Sequence, residues 1–291
     1  MRSMYQHSVF ADCDSSYGDA LFVLFGVPFD ATSCFRSGSR HAPAALREAS
    51  YCFETYDAAL DVDLEDVPMR DLGDLECYGS VDDVLSLVHT EAKRHMKAGK
   101  VPIMMGGEHT MTVGCVRAAC ELYEDVGMVV LDAHLDLRRE YGGVECSHAC
   151  TSYQCLKMLS ATHYASIGIR SGSRQEYEFA KSMELTCATA TDVHEKGIEK
   201  VLWDVLDKME CKQMYLSIDA DVVDPSYAPA VGTPEPFGLR PEDVRHVIRA
   251  LAPMVVGMDV MEITPHYDSG QTALLFSRLI RDFIAAKTKS P

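Results

Sequence analysis

Three side chains of metal-binding type, Asp132, His134 and Asp136, stand two apart in "VVLDAHLDLRREY", directly after an apolar run. In an extended strand, residues two apart point the same way, with about 6.6 Å between their Cα atoms. "SIDADVVDP" repeats the spacing with Asp219 and Asp221, and His109 follows "MMGG", whose glycines let the backbone turn tightly. Brought together, two histidines and four aspartates make a hard, oxygen-rich donor set, and so many like charges repel unless a cation sits among them. Six donors exceed what one catalytic ion usually takes, so shared aspartates would hold two divalent ions about 3.5–4 Å apart. Carboxylate-rich ligation without thiolate favours manganese or magnesium over zinc, with nickel or cobalt admitted through imidazole. Such a pair acidifies a water between the ions and supplies hydroxide near neutral pH, a nucleophile for hydrolysis. A single Asp after a strand is commonly a helix cap, and a lone His a satisfied surface or core group. Three strand ends carrying ligand types together exceed what caps explain. Spacing alone goes no further than a two-metal hydrolase.

Those side chains need a row of strand ends to carry them. Short, apolar, often β-branched runs predict strands at Leu21 to Val27, Val101 to Met105, Gly127 to Ala133, Tyr164 to Ile169, Gln213 to Asp219 and Met254 to Glu262. Between them lie helical patterns. Ser80 and Asp83 form a capping box, Val81, Val84, Leu85, Val88, Ala92 and Met96 one apolar stripe, and Lys97 and Gly99 a stop. Ile198, Val201, Leu202, Val205, Leu206 and Met209 share a second face, and Pro241 suits a first helical position. In Thr272 to Ala286, Leu274, Leu275, Ile280 and Phe283 are the expected core contacts. Alternating β and α elements imply an α/β fold, a mostly parallel sheet with helices on both faces. Ligands of such sheets bind beyond the carboxyl ends of the strands. Four of those ends carry "GGEHT", "DAHLD", "DADVVDP" and "MEITPHYD", all with carboxylates or histidines.

A chain of 291 residues, 47% hydrophobic and 24% charged, suffices for one domain over residues 1–291. Its net charge of -17 argues against nucleic acid or an anionic membrane surface as a partner and suits a small cationic one. Eleven cysteines without a C-x-x-C pair, behind an N-terminus without the apolar core of a signal peptide, fit reduced thiols in a cytoplasmic protein. No apolar run approaches the roughly 18 residues of a membrane span.

Together "GVPFDATSCFRSGSRHAPAALREAS", "GGEHT", "DAHLDLRREY", "SHA", "SIDADVVDP" and "MEITP" resemble the ureohydrolase family, the arginase and agmatinase group, over nearly the whole chain. The resemblance implies a three-layer α/β/α arginase-like fold, two Mn2+ ions per chain and hydrolysis of a guanidinium group to urea and an amine. It assigns the more buried ion to His109, Asp132, Asp136 and Asp219, and the second to Asp132, His134, Asp219 and Asp221. It implies attack by a metal-bridging hydroxide, with Asp136 carrying the proton to the leaving amine. Glu262 would grip the guanidinium, as a planar cation in a dry pocket wants a bidentate acid. His148, in "CSHAC", matches the family's loop histidine, and its near-neutral titration suits a proton shuttle at the substrate. The rival for that loop is a zinc site of Cys146, His148 and Cys150, which lacks a fourth ligand.

The loop after "DAH" lacks the Asn and Ser pattern of arginases, and with Glu108 and "PFDATSCFRSGSR" it resembles the agmatinase branch. Agmatine is therefore the expected substrate, cleaved to urea and putrescine. The alternatives are N1-aminopropylagmatine, 4-guanidinobutyrate, guanidine and arginine; Arg138 or Arg139 would suit a carboxylate tail if either faced the pocket. A related metal-dependent deacetylase or amidohydrolase holds one catalytic ion, whereas these paired motifs point to two. A non-catalytic homologue would have lost a ligand, and none is missing. The resemblance also implies a homo-oligomer, trimer or hexamer.

Overall fold

Parallel strands cannot be joined by tight turns, so the chain must return through crossovers after each one. The computed structural model describes residues 9–289. Its strands are β1 (Phe22–Gly26), β2 (Tyr56–Asp57), β3 (Val62–Asp63), β4 (Met69–Asp74), β5 (Val101–Met105), β6 (Val126–Leu131), β7 (Tyr164–Ile169), β8 (Thr186–Thr189), β9 (Gln213–Asp219) and β10 (Val255–Met261). The longer helices are α1 (Ala42–Ser50), α2 (Val81–Lys97), α3 (Thr112–Leu122), α4 (Thr151–Cys155), α5 (Arg174–Ser182), α6 (Ala190–Lys196), α7 (Ile198–Leu206), α8 (Pro241–Leu251) and α9 (Gln271–Lys289). β2 and β3 form a small antiparallel pair. The remaining strands make one eight-stranded sheet in the order β4-β1-β5-β10-β9-β6-β7-β8, parallel throughout.

Side chains alternate across this sheet into two cores. Phe25, Met104, Met128, Val130 and Tyr215 face α2, α3 and α4. Leu24, Ile103, Leu131, Leu216 and Ile218 face α1, α7, α8 and α9 on the other side. The result is the three-layer α/β/α architecture expected from the alternation of elements. Among the described residues no helix is long and apolar enough to cross a membrane.

All six expected strands are present. β4 and β8 are additional, and both lie at the sheet's edges. Neither has an apolar run: β4 reads "MRDLGD" and β8 "TCAT" with no fully buried residue. Position in the sheet, not local pattern, makes them strands. β4 is tied down by the buried Arg47 of α1, whose Nε donates to Asp71 Oδ2 at 2.7 Å and whose Nη1 donates to Asp74 Oδ1 at 2.5 Å.

Helix ends follow their local signals. The Ser80 and Asp83 capping box opens α2, and Gly99 leaves it at φ +73°, where a side chain would be strained. Pro241 is the first residue of α8, and α7 stops at Leu206, earlier than its apolar face suggested. One core assignment needs correction. Leu274 of α9 is 36% exposed, because the buried stripe runs through Thr272, Ala273, Phe276, Ile280, Phe283 and Ile284 and leaves Leu274 to one side.

The strand order places the ligand-bearing ends. The chain lays down β1, β4 and β5 on one side and β6 to β8 on the other, then returns with β10 and β9 to fill the middle. Met105 pairs with Val260, Met261 with Asp219, and Ile218 with Leu131. Four adjacent strands, β5, β10, β9 and β6, therefore finish level with one another where the order of connection reverses, and a crevice opens there.

Candidate metal centre

His109 reaches the centre because two glycines carry the chain through a gap with no room for side chains. A Cβ on Gly107 would lie 1.9 Å from the Phe29 carbonyl oxygen, and one on Gly106 2.1 Å from Met261 Sδ. Gly106 and Gly107 are bonded to Val260 and Val27 through their amides, so the turn after β5 stays in register with its neighbours. The imidazole then meets a buried relay. Ser217 Oγ donates to Asp259 Oδ1 at 2.6 Å and so can only accept from His109 Nε2 at 2.9 Å. Thr112 Oγ1 and Tyr215 OH donate to the other Asp259 oxygen. The proton is thereby held on Nε2, and Nδ1 presents a lone pair to the crevice.

Three aspartates are anchored in a common manner. In each, Oδ1 accepts a backbone N–H: Asp132 from His134 at 2.6 Å, Asp219 from Asp221 at 2.9 Å and Asp221 from Ala133 at 3.1 Å. Each Oδ2 turns inward. Asp132 Oδ2, Asp136 Oδ2 and Asp219 Oδ2 all lie 3.3 Å from His109 Nδ1. Asp221 Oδ2 lies 2.9 Å from His134 Nδ1, with Asp132 Oδ1 at 3.7 Å from the same nitrogen. Asp136 gains its place from a left-handed backbone, φ 49°, which a non-glycine residue adopts only where the surroundings enforce it.

The donors thus fall into two groups that share Asp132: His109 with Asp132 and Asp219, and Asp132 with His134 and Asp221. Asp136 adjoins the first. The donor atoms fit divalent cations. His109 Nδ1 and Asp132 Oδ2 are buried without any hydrogen-bond partner, although they face each other. Burial, reinforced by the charge of Asp132, pushes Asp136 up to about 7, and burial with the charges of Asp221 and Asp132 raises Asp219 well above the carboxylate range. Crowded carboxylates and an orphaned imidazole nitrogen are what a cation relieves, and oxygen-rich donors without sulfur suit Mn2+ or Mg2+.

Glu262 stands at the end of β10, the strand between those of His109 and Asp219, also with left-handed backbone at φ 64°. Its Oε1 accepts the His109 N–H at 2.8 Å, which leaves Oε2 facing the crevice, 3.2 Å from where a Cβ on Gly232 would sit. Burial pushes its carboxyl up to about 8. A cavity of about 310 Å3 opens above, lined by His109, His134, Asp136, Asp219 and Glu262 at its floor and by Cys34, Arg138, Tyr141, His148 and Thr233. His148 is half-buried, its ring edge-on to Tyr141, with Nδ1 3.4 Å from Thr32 Oγ1 and Nε2 3.3 Å from Cys34 Sγ. It is not part of a thiolate cluster: the described residues contain no metal-type group joining it to Cys146 and Cys150, and Cys150 Sγ accepts instead from Ser147 Oγ at 3.2 Å. Arg138 lines the cavity, but its Nε is 3.4 Å from Glu176 and its guanidinium lies over Tyr141. Arg139 turns to Tyr153.

Sequence reading missed Ser217, Asp259, Thr32 and Cys34. Ser217 had a signal, being two residues before Asp219 on the same strand face, and Asp259 is a lone acid inside an apolar run. Thr32 and Cys34 had none, because their partners lie more than 70 residues away.

The chain matches the family described as the Arginase family over residues 20–286. An agmatinase of Bacillus anthracis is 33% identical over 290 residues, 98% of each chain. An N(1)-aminopropylagmatine ureohydrolase of Thermococcus kodakarensis is 34% identical over 277 residues, 93% of this chain and 92% of that one. The crystal structure of an agmatine ureohydrolase of Thermoplasma volcanium superposes with a TM-score of 0.93 at 42% identity, covering 99% of this chain and 97% of the other.

Proposed function

The chain belongs to the arginase family and is a hydrolase of guanidino C–N bonds, and from that premise we propose that it cleaves agmatine to urea and putrescine with two Mn2+ ions. His109, Asp132, Asp136 and Asp219 would hold one ion, and Asp132, His134, Asp219 and Asp221 the other. Ions so bound ionise water near neutral pH and offset negative charge that develops at the reacting carbon. The remaining work falls to side chains. Glu262 Oε2 receives the planar guanidinium and fixes its carbon above the two donor groups. Asp136, beside the first donor group, takes the proton and passes it to the departing amine. His148 lies at the wall of the same cavity, placed to take a proton and pass it to solvent. The near-neutral titration expected for it is corrected by burial and the charges of His109 and His134, which push it down to about 4.

The observation that carries the reading is the placing of Glu262 beside both donor groups at the floor of one cavity. The tail end favours agmatine over substrates with a carboxylate tail: among the described residues the one arginine lining the cavity, Arg138, lies against Glu176 and Tyr141, and Arg139 turns to Tyr153. N1-aminopropylagmatine is the second reading, supported by the Thermococcus relative. The family resemblance further implies a homo-oligomer of three or six chains, and the cysteines, all free, fit a reducing cytoplasm.

Urea release from the manganese-loaded protein tests this, with agmatine, N1-aminopropylagmatine, 4-guanidinobutyrate, guanidine and arginine offered in parallel. Agmatine is expected to give the highest kcat/KM, with one putrescine per urea. A higher kcat/KM for 4-guanidinobutyrate would show that Arg138 is free to bind a carboxylate and would overturn the assignment.

A further inference from the structure

His148 stands away from the strand ends, as the first residue of a short 3-10 turn (His148–Cys150) leading into α4, and either nitrogen of its ring can be presented to the cavity. We propose that Glu108 and Thr32 are positioning residues that keep the His148 proton on Nδ1 and leave a bare Nε2 toward the cavity. The inference rests on the reading of His148 as a proton carrier.

Glu108 is fully buried and precedes His109 in the chain. Its carboxylate accepts from Thr32 N–H at 2.6 Å, Thr32 Oγ1–H at 2.7 Å and Thr110 Oγ1–H at 2.7 Å, so each of these partners is a donor. A threonine hydroxyl has one proton, and here it is spent on Glu108. What Thr32 Oγ1 still offers is lone pairs. One meets the His148 backbone N–H at 3.2 Å, and the other faces His148 Nδ1 at 3.4 Å. A bare Nδ1 there would set lone pair against lone pair, so the favourable form carries its proton on Nδ1. On the far side of the ring Nε2 lies 3.3 Å from Cys34 Sγ, a contact that fits this tautomer but does not by itself select it. Tyr141, edge-on at 5.5 Å between ring centres, limits rotation that would exchange the two nitrogens.

Two segments distant in sequence are thereby joined to one task. The turn after β5 delivers His109 to the centre, and its Glu108 simultaneously sets the tautomer of the histidine on the opposite wall. A general base must present its lone pair to the proton it takes, and the wrong tautomer presents a proton instead.

The test is the tautomer itself, read from the 15N shifts of histidine in the magnesium-loaded protein, with His148 assigned by comparison with His148→Ala. Expected is a protonated, pyrrole-type Nδ1 and a bare, pyridine-type Nε2. Thr32→Val should mix the two forms and lower kcat about tenfold, with metal content unchanged, and Thr32→Ser should restore both. A protonated Nε2 in the unaltered protein would overturn the proposal, as would an unchanged tautomer in Thr32→Val. The first reading needs no variant, so misfolding of Thr32→Val cannot leave the matter open. Full turnover by His148→Ala would instead refute the proton-carrying role, independently of which nitrogen bears the proton.

Discussion

At the scale of single residues, the six expected donors could be read from strand spacing, and the structure brings them together, whereas Glu262 and His148 came from the family resemblance and lie on the wall of the same cavity. Asp132, His134, Asp219 and Asp221 sit two apart where a strand runs out, and the Asx-type bonds from Oδ1 to the next amide but one are local consequences of that spacing. The partners that aim those donors were not legible. His109 owes its tautomer to Ser217 and Asp259, more than 100 residues further along the chain, and His148 its orientation to Thr32, 116 residues before it. Two substitutions separate the roles. His148→Ala should retain both ions and lose about 10²- to 10⁴-fold in kcat, the range of a general acid–base group; loss of metal, measured by elemental analysis, would place His148 among the ligands. Glu262→Gln removes an acceptor that the bound guanidinium would keep charged, a contact worth about 1.5–3 kcal/mol. It should therefore lower kcat/KM for agmatine about ten- to hundredfold, and an unaltered value would remove Glu262 from guanidinium binding.

At the scale of elements, what was legible followed burial. Strands covered on both faces announced themselves as apolar runs, and α2 and α8 by their first residues, whereas the edge strands β4 and β8 carry too few apolar side chains to be seen. The turn after β5 is the element on which the site depends most. Gly107→Ala would press a methyl group into the Phe29 carbonyl, and the backbone must move to relieve it. The expected cost is about 1–3 kcal/mol in urea unfolding, together with weaker metal binding as His109 leaves its place. Native stability and native metal affinity in that variant would mean that the turn does not fix His109.

At the scale of the whole molecule, the order of connection creates the site. β10 and β9 enter last, between β5 and β6, and bring Glu262 and Asp219 between His109 and Asp132. The alternation of β and α segments foretold the layers, but not which strands would be neighbours, since pairing is decided by packing across the sheet. The family resemblance implied the three layers and the parallel sheet, while the order of the strands is seen only in the structure. An acidic surface, with net charge -17, suits a dicationic substrate without selecting it.

The central claim is that the ends of β5, β6 and β9 hold two ions which share Asp132. Manganese bound per chain, measured after loading and removal of free metal, tests it in the unaltered protein and in Asp132→Ala. Two ions are predicted in the first and neither retained tightly in the second, because Asp132 belongs to both donor groups. A single ion in the unaltered protein, or two still bound in Asp132→Ala, would contradict the account.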